Sequence, residues 1–284
     1  MNQINVQEQI VARPASDGDG VKLLRVFGGP QLQRFDPFLM LDEFGSEQAE
    51  DYIGGFPPHP HRGFETVTYM LQGKMEHRDH IGNVGLLEDG GVQWMTAGKG
   101  IIHSEMPKQT EGMMRGFQLW VNLPANRKMI PASYQDIAAG DIAVHQLAEG
   151  TVKVIAGRTR VNDTELNGYF SIADTEVSYL DISIEAGQSM HITVPTQHNA
   201  MIYSYQGQIQ IGDNRVNSKA KTLSRLSGQG KVVVENPTDS VARLLFLSGK
   251  PLQQPIAQYG PFVMNTHEEI EQAIQDYQAG VLTD

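Results

Sequence analysis

Short runs rich in β-branched and aromatic residues, separated by glycine-containing turns, dominate the chain from about residue 20 to residue 250. In the first half the clearest runs are residues 64–71, 84–87 and 116–123, and in the second half they are residues 151–156, 177–184, 200–205, 232–235 and 241–247. Runs of this length and composition, bounded by turns, are typical of antiparallel β-sandwiches and barrels. The pattern therefore predicts an all-β fold with one β unit in each half of the chain.

The segment between the two groups of runs, residues 124–140, has a different composition. It contains prolines, an Asn-Arg-Lys cluster and an Ala-Ala-Gly sequence, all of which favour turns and loops. The chain has 284 residues, of which 40% are hydrophobic. Since domains commonly hold ~100–150 residues, this is enough for two cores. We predict an N-terminal domain over residues 1–130 and a C-terminal domain over residues 131–284.

The C-terminal end of the chain follows a helical rather than a strand pattern. Thr266 and Glu269 are spaced as in a capping box, apolar residues follow at helical intervals, and Gly280 suits a C-terminal cap. We predict one amphipathic helix over roughly residues 266–279, packed on a barrel.

The charge and the residue types restrict the classes of function. The formal net charge is −11, from 22 Lys and Arg against 33 Asp and Glu. This balance opposes binding to nucleic-acid backbones or to anionic membranes and favours small molecules or proteins as partners. The N-terminal residues lack a basic start followed by an apolar run, and no stretch of ~18 apolar residues occurs, so we expect a cytoplasmic protein.

The chain has no cysteine, so any metal must be bound by nitrogen and oxygen ligands. Two short sequences offer such ligands, His59-Pro60-His61 and His103-Ser104-Glu105. Because residues two apart in an extended chain point to the same face, each sequence presents two ligands towards one point. Together they predict one divalent metal site, and imidazole with carboxylate suits iron, manganese, nickel, cobalt, copper or zinc. A metal that prefers six ligands would keep open positions for a substrate.

A second carboxylate competes for this site. Glu65 lies four residues after His61 at the start of a predicted strand. From an extended chain either Glu65 or Glu105 can face the metal, so spacing alone leaves the choice open.

Other conspicuous residues are interpreted as structural. His77 and His80 differ by three positions, so a strand would place them on opposite faces, and we interpret both as polar residues without a ligand role. For Phe56, Trp94 and Met95, packing in a core is favoured over the lining of an apolar pocket.

An internal comparison limits the metal to one half of the chain. The Tyr-x3-Gly sequence that begins at Tyr69 recurs at residue 203. Aligning the two halves on it sets His59 against Thr193 and His61 against Pro195. Since neither of the later residues offers an imidazole, we expect the second barrel to hold no metal.

Four blocks of the chain resemble the pirin family of the cupin superfamily: DPFLMLDEF (36–44), PHPHRGFETVTY (58–69), AGKGIIHSE (97–105) and GPFVMNT (260–266). The resemblance extends over nearly the whole chain. It implies an all-β fold of two stacked cupin (jelly-roll) β-barrels with a short C-terminal helix. It also implies a mononuclear iron, Fe(2+), in the first barrel, with His59, His61, His103 and Glu105 as ligands. The choice of Glu105 over Glu65 rests on the resemblance.

The same resemblance implies a dioxygenase, because some bacterial pirins cleave the heterocycle of the flavonol quercetin with O2. Glu105 would then act as the catalytic base that accepts the proton of the flavonol hydroxyl.

An alternative within the family is an iron-dependent, redox-sensing binding protein that modulates a transcriptional or metabolic protein partner. Another small aromatic or enolisable substrate would also fit the predicted site, because function depends on the site and not on the fold. We expect the protein to be a monomer.

Overall fold

The computed structural model describes residues 4–29 and 32–284, with the side chains of residues 32 and 33 left aside. Within these residues there are 26 β-strands, one α-helix and four short 3₁₀ helices. This confirms the predicted all-β fold. No helix in the described part of the chain is long and apolar enough to cross a membrane.

The strands of the first half are β1 (Asn5–Val11), β2 (Arg13–Asp17), β3 (Val21–Phe27), β4 (Phe38–Ser46), β5 (Phe56–His61), β6 (Phe64–Gln72), β7 (Met75–Asp79), β8 (Val84–Leu87), β9 (Val92–Thr96), β10 (Ile101–Pro107), β11 (Met114–Asn122) and β12 (Ser133–Ile137). The strands of the second half are β13 (Val144–Leu147), β14 (Gly150–Ala156), β15 (Arg158–Val161), β16 (Thr164–Asn167), β17 (Ser178–Ile184), β18 (Ser189–Val194), β19 (Asn199–Gln206), β20 (Gln208–Ile211), β21 (Val216–Lys219), β22 (Thr222–Ser227), β23 (Gly230–Glu235) and β24 (Ala242–Gly249). The chain ends with β25 (Ala257–Tyr259), β26 (Phe262–Met264) and the helix α1 (His267–Gln278). The 3₁₀ helices are Leu32–Phe35, Ala49–Asp51, Ala125–Arg127 and Ala139–Asp141.

The chain forms two compact units. The first unit comprises Arg13–Ala139 and Leu252–Asp284, and the second comprises the residues up to Ala12 together with Gly140–Pro251. The join near residue 140 falls in the predicted linker region, but both ends of the chain belong to the other unit from the one predicted. The physical reason is strand pairing: β1 pairs with β22 of the second unit, whereas β25, β26 and α1 pack in the first.

The first unit contains two antiparallel sheets and a hairpin. A seven-stranded sheet has the order β12-β9-β6-β11-β4-β3-β2, a four-stranded sheet has the order β5-β10-β7-β8, and β25 pairs with β26. The interior strand β6 is buried over its first seven residues, on both faces. Burial of one large apolar side chain contributes about 1.5–3 kcal/mol, so burial of the apolar residues of β6 stabilises this sheet.

The second unit is also built from two sheets, with the orders β1-β22-β19-β24-β17-β14-β13 and β16-β15-β18-β23-β20-β21. Alternate residues of these strands point inwards, as Leu180, Ile182 and Ile184 do on β17. Since 21 buried apolar residues form one continuous cluster, the interior of this unit is a packed hydrophobic core.

The predicted C-terminal helix is confirmed at both ends. Thr266 caps its N-terminus, Glu269 completes the capping box, and Ala279 caps its C-terminus. The buried residues Ile270 and Ala273 pack with the β25–β26 hairpin in one apolar cluster. The helix therefore fixes the hairpin within the first unit.

Two buried basic side chains attach the C-terminal segment to the strands of the first unit. Arg62, which is 4% exposed, donates to Asp276 on α1 at 2.6 Å and to the carbonyl oxygen of Leu282 at 3.1 Å, and its Nε donates to the carbonyl oxygen of Lys99.

The Nζ of Lys128 donates to three oxygens, those of the Gly63 carbonyl, the Asn122 side chain and the Val263 carbonyl. Burial lowers the pKa of Lys128 to about 7. These contacts hold Arg62 and Gly63, which follow His61 directly in the chain.

Candidate metal centre

The pairing of β5 with β10 brings the predicted histidines together. In the antiparallel register His103 lies opposite His59, and Ile101 lies opposite His61. Since His59 and His61 are two residues apart, both lie on the face that His103 shares. The site therefore lies on adjacent strands of the four-stranded sheet.

The ligand atoms of His59, His61 and His103 all lie within 4.8 Å of one another. The Nε2 atoms of His59 and His61 are 3.0 Å apart. Two imidazole nitrogens bound at ~2.1 Å to one ion, at a right angle, would be about 3.0 Å apart. The spacing of this pair therefore fits two adjacent ligands of one metal ion.

Hydrogen bonds determine which nitrogens face the site. The Nδ1 of His59 must donate to the carbonyl oxygen of Pro57, 2.8 Å away, so in neutral His59 the Nε2 carries the lone pair. The Nδ1 of His103 lies 2.7 Å from the Nε2 of His77, and the Nε2 of His103 is buried with no hydrogen-bond partner among the described residues. A buried imidazole nitrogen without a partner requires an explanation, and a metal ion supplies one. These three histidines can hold a metal ion.

Burial keeps two of these histidines uncharged. Desolvation is the main cause that holds the pKa of His61 well below its usual range, and electrostatic repulsion from His59 adds to it. A hydrogen bond with the backbone of Pro261 opposes this shift. Desolvation also holds the pKa of His103 well below its usual range, and the surrounding histidines add to the effect. Neutral imidazole is the form that binds metals, so the site is ready to accept an ion at neutral pH.

These lowered pKa values predict how the stability of the metal-free protein depends on pH. Histidines of the unfolded chain have a pKa of about 6.5, so below that pH the unfolded state binds protons that folded His61 and His103 do not. The contribution of these groups is fully present above about pH 6.5 and is lost as the pH falls towards their folded pKa values. We expect the free energy of unfolding in urea to fall over this range. The variant His61→Leu should show a smaller fall, and an equal fall would contradict the assignment.

Neither carboxylate belongs to the cluster of histidine ligand atoms. Glu105, 2% exposed, accepts hydrogen bonds from the Thr68 hydroxyl and the Gln118 amide, both at 3.0 Å. Glu65 accepts from the Thr96 hydroxyl at 2.7 Å. Each Glu105 oxygen has a second lone pair that can accept a further bond, and the role of Glu105 as a ligand stays a prediction.

The structure places His77 beside the clustered histidines, which the sequence did not indicate. His77 is 2% exposed and lies opposite Glu105 across the β7–β10 pair, on the same face as the three clustered histidines. Desolvation lowers its pKa, while Glu105, Asp136 and Asp79 oppose the shift. The spacing of His77 from His80 carried no information, because His80 lies beyond the end of β7. The informative feature was the pairing of β7 with β10, which a single strand does not reveal.

A cavity of about 1060 Å³ opens beside the histidines. Its wall includes His59, His61, Gln118 and Trp120, and residues 256–261 of the C-terminal segment. The ring of Trp120 lies 5.4 Å from that of His61. Of the three residues interpreted as core, Phe56 lines the cavity, which corrects that interpretation. Trp94 and Met95 are buried at 5% and 0% exposure.

Gln118, Trp120 and the C-terminal segment were not identified from the sequence as part of the site. Gln118 and Trp120 lie two apart on β11, within an apolar run that reads as core. The C-terminal segment is more than 150 residues away from His103 in the chain. Only the pairing of strands brings these parts together.

Comparison with known proteins identifies the family of the chain. The pirin family model matches residues 20–121, and the model for the pirin C-terminal cupin domain matches residues 179–283. A Pseudomonas aeruginosa protein named "Putative quercetin 2,3-dioxygenase" is 53% identical over 280 residues, 98% of each chain. A pirin-like protein of Caulobacter vibrioides is 47% identical, over 95% of this chain and 96% of the relative.

A solved structure shows the same fold. The crystal structure of quercetin 2,3-dioxygenase from Acinetobacter baumannii has a TM-score of 0.89, is 33% identical, and covers 99% of each chain. The expectation of two cupin barrels is thereby confirmed. With two family models that together match most of its length, and with relatives of 47–53% identity along nearly all of it, the chain belongs to the pirin family.

Proposed function

We propose that this protein is a metal-dependent dioxygenase that cleaves the heterocycle of flavonols such as quercetin with O2. The observation that carries the proposal is the cavity, which is bounded by His59 and His61 and is large enough for a flavonol. Its volume of about 1060 Å³ lies just above the ~300–1000 Å³ typical of small-molecule sites. The names of the Pseudomonas and Acinetobacter relatives support the same reaction class.

The walls of the cavity suit a flat aromatic molecule. They include the apolar side chains of Met40, Phe56, Pro57, Trp120 and Ile256. Aromatic and aliphatic walls bind planar rings by burial and by stacking or edge-to-face contact. The lining also carries polar and charged side chains, among them Asp17, Arg25 and Gln118, which can form hydrogen bonds with the hydroxyl and carbonyl groups of a flavonol. Such contacts would orient a flavonol within the cavity.

We assign the metal to His59, His61 and His103, with Glu105 as the fourth ligand, and we propose Fe(2+) as the ion. When bound, the metal supplies Lewis-acid stabilisation of the ionised substrate and orients the reactants. Glu105 accepts the proton of the flavonol hydroxyl. Thr68 and Gln118 hold the Glu105 carboxylate in place by one hydrogen bond to each oxygen. The buried position of Glu105 restricts access of water to this proton-transfer step.

The test is O2 consumption by Fe(2+)-loaded protein given quercetin, with the ring-cleavage product identified by mass spectrometry. We expect O2 uptake and product in a fixed ratio, and neither from metal-free protein. The variant His61→Leu, loaded in the same way, is the matched negative control. If the loaded wild-type protein binds the metal but yields no O2 uptake and no product with flavonols, the proposed reaction is wrong.

A further inference from the structure

His77 lies beside the candidate metal centre but is not one of its proposed ligands. It lies on β7, next to the strand that carries His103, and its Nε2 is 2.7 Å from the Nδ1 of His103. Its side chain is 2% exposed, and the ring of Tyr134 packs against it with 4.8 Å between centroids. The Nε2 of His77 is therefore held within hydrogen-bonding distance of the Nδ1 of His103 by a buried, packed ring.

A hydrogen bond between two neutral imidazoles can run in either direction. If the Nε2 of His77 donated, the Nδ1 of His103 would accept, and His103 would carry its proton on Nε2. That nitrogen would then have no lone pair for a metal. If the Nδ1 of His103 donates, its Nε2 is free to bind, and His77 carries its own proton on Nδ1. Only the second direction is compatible with a metal ion bound by His103.

We propose that His77 is a positioning residue for the metal centre: it accepts the Nδ1–H of His103, and so fixes the ligand's tautomer and ring orientation. Ligating histidines usually donate their second N–H to a carboxylate, a carbonyl or water. His59 follows this rule through the carbonyl of Pro57. His103 differs in having a neutral imidazole as its acceptor, which leaves it less basic than a carboxylate partner would. This inference rests on the proposed metal site and is independent of the substrate.

The inference predicts different effects for two substitutions of the same residue. His77→Leu removes the acceptor but fills the space with an apolar side chain. His77→Gln keeps an oxygen near the position of Nε2 and can accept the same hydrogen bond. Loss of an outer hydrogen-bond partner costs about 10- to 100-fold in metal affinity. We expect a loss of this size for Zn²⁺ in His77→Leu, measured by chelator competition, and an affinity near that of the wild type in His77→Gln.

His191→Leu is the matched control, because it makes the same change at an exposed histidine of the second unit. Thermal unfolding of each metal-free variant shows whether the fold is retained. Zn²⁺ is used because it is diamagnetic and forms no redox product, so the measurement is independent of turnover.

A spectroscopic measurement tests the direction of the bond itself. In Zn²⁺-loaded protein with ¹⁵N-labelled histidine, the Nδ1 of His103 should carry the proton and show a coupling to the Nε2 of His77 across the hydrogen bond. In His77→Leu this coupling should be lost.

If His77→Leu bound zinc with wild-type affinity, the inference about His77 would be overturned while the proposed metal site would stand. A proton on the Nε2 of His77 in the zinc-loaded wild type would have the same consequence. Equal weakening in His77→Leu and His77→Gln would also overturn it, because the acceptor would then not matter. Absence of zinc binding to the wild type would overturn the proposed metal site, and this inference with it.

Discussion

Replacing His61 with leucine is expected to abolish tight metal binding and with it the proposed turnover. His61 is 3% exposed, its Nε2 lies 3.0 Å from that of His59, and it lines the cavity. Its loss removes one of three clustered imidazoles. Since removal of a mere outer partner costs about 10- to 100-fold in affinity, loss of a ligand should cost more than about 100-fold. Metal content per chain after dialysis, and chelator competition, measure this effect.

We expect the His61→Leu variant to fold, because the rings of Phe64 and Trp120 give the side chain at position 61 apolar neighbours. His191→Leu should bind metal as the wild type does and separates the loss of a ligand from a general effect of losing a histidine. Stoichiometric metal with wild-type affinity in His61→Leu would show that the ion is held elsewhere.

Replacing Arg62 with methionine is expected to destabilise the first unit by about 3 kcal/mol. The substitution leaves Asp276 without its ion pair and the carbonyl groups of Lys99 and Leu282 without their donor. Breaking a buried ion pair costs about 3–5 kcal/mol. The lower end applies because the Asp276 side chain is 21% exposed. In a protein of this size we expect Tm to fall by about 6–12 °C.

The same substitution should also affect the site, because Arg62 follows His61 directly and connects it to the segment that forms part of the cavity wall. Limited proteolysis should therefore cut the C-terminal segment sooner in Arg62→Met. The matched control is Arg158→Met, which breaks the ion pair between Arg158 and Glu165. In this pair the Arg158 side chain is 72% exposed and the Glu165 side chain is 41% exposed. Exposed pairs contribute about 0–1 kcal/mol. Equal shifts of Tm in the two variants would refute a special role for Arg62.

The C-terminal helix could be predicted from residues that are close together in the chain. Its capping box is a contact between Thr266 and Glu269, three residues apart, so the sequence alone predicted both its place and its ends. The strands were also predictable from local sequence, because residues 64–71 and 200–205 carry β-branched and aromatic residues between turns. The histidine pairs required only the two-residue period of a strand to place two ligands on one face.

Other features depend on which strands lie side by side. β1 and β22 are more than 200 residues apart in the chain, and no local pattern indicates that they pair. For this reason the predicted domains place both ends of the chain differently from the compact units of the structure. The same reason explains why the sequence did not indicate that His77 lies beside His103, since His103 is on β10 and becomes a neighbour of His77 only through the sheet register.

The sequence by itself therefore determined the all-β class, the C-terminal helix, the family and the three histidines that cluster. These depend on the periodicity of a strand or helix and on short motifs. The tertiary structure alone decided the partner of His103, the hydrogen bonds to Glu105, and the contribution of the C-terminal segment to the cavity. Each of these is a contact between residues distant in the chain, and the sheet register and side-chain packing that create it are properties of the folded protein.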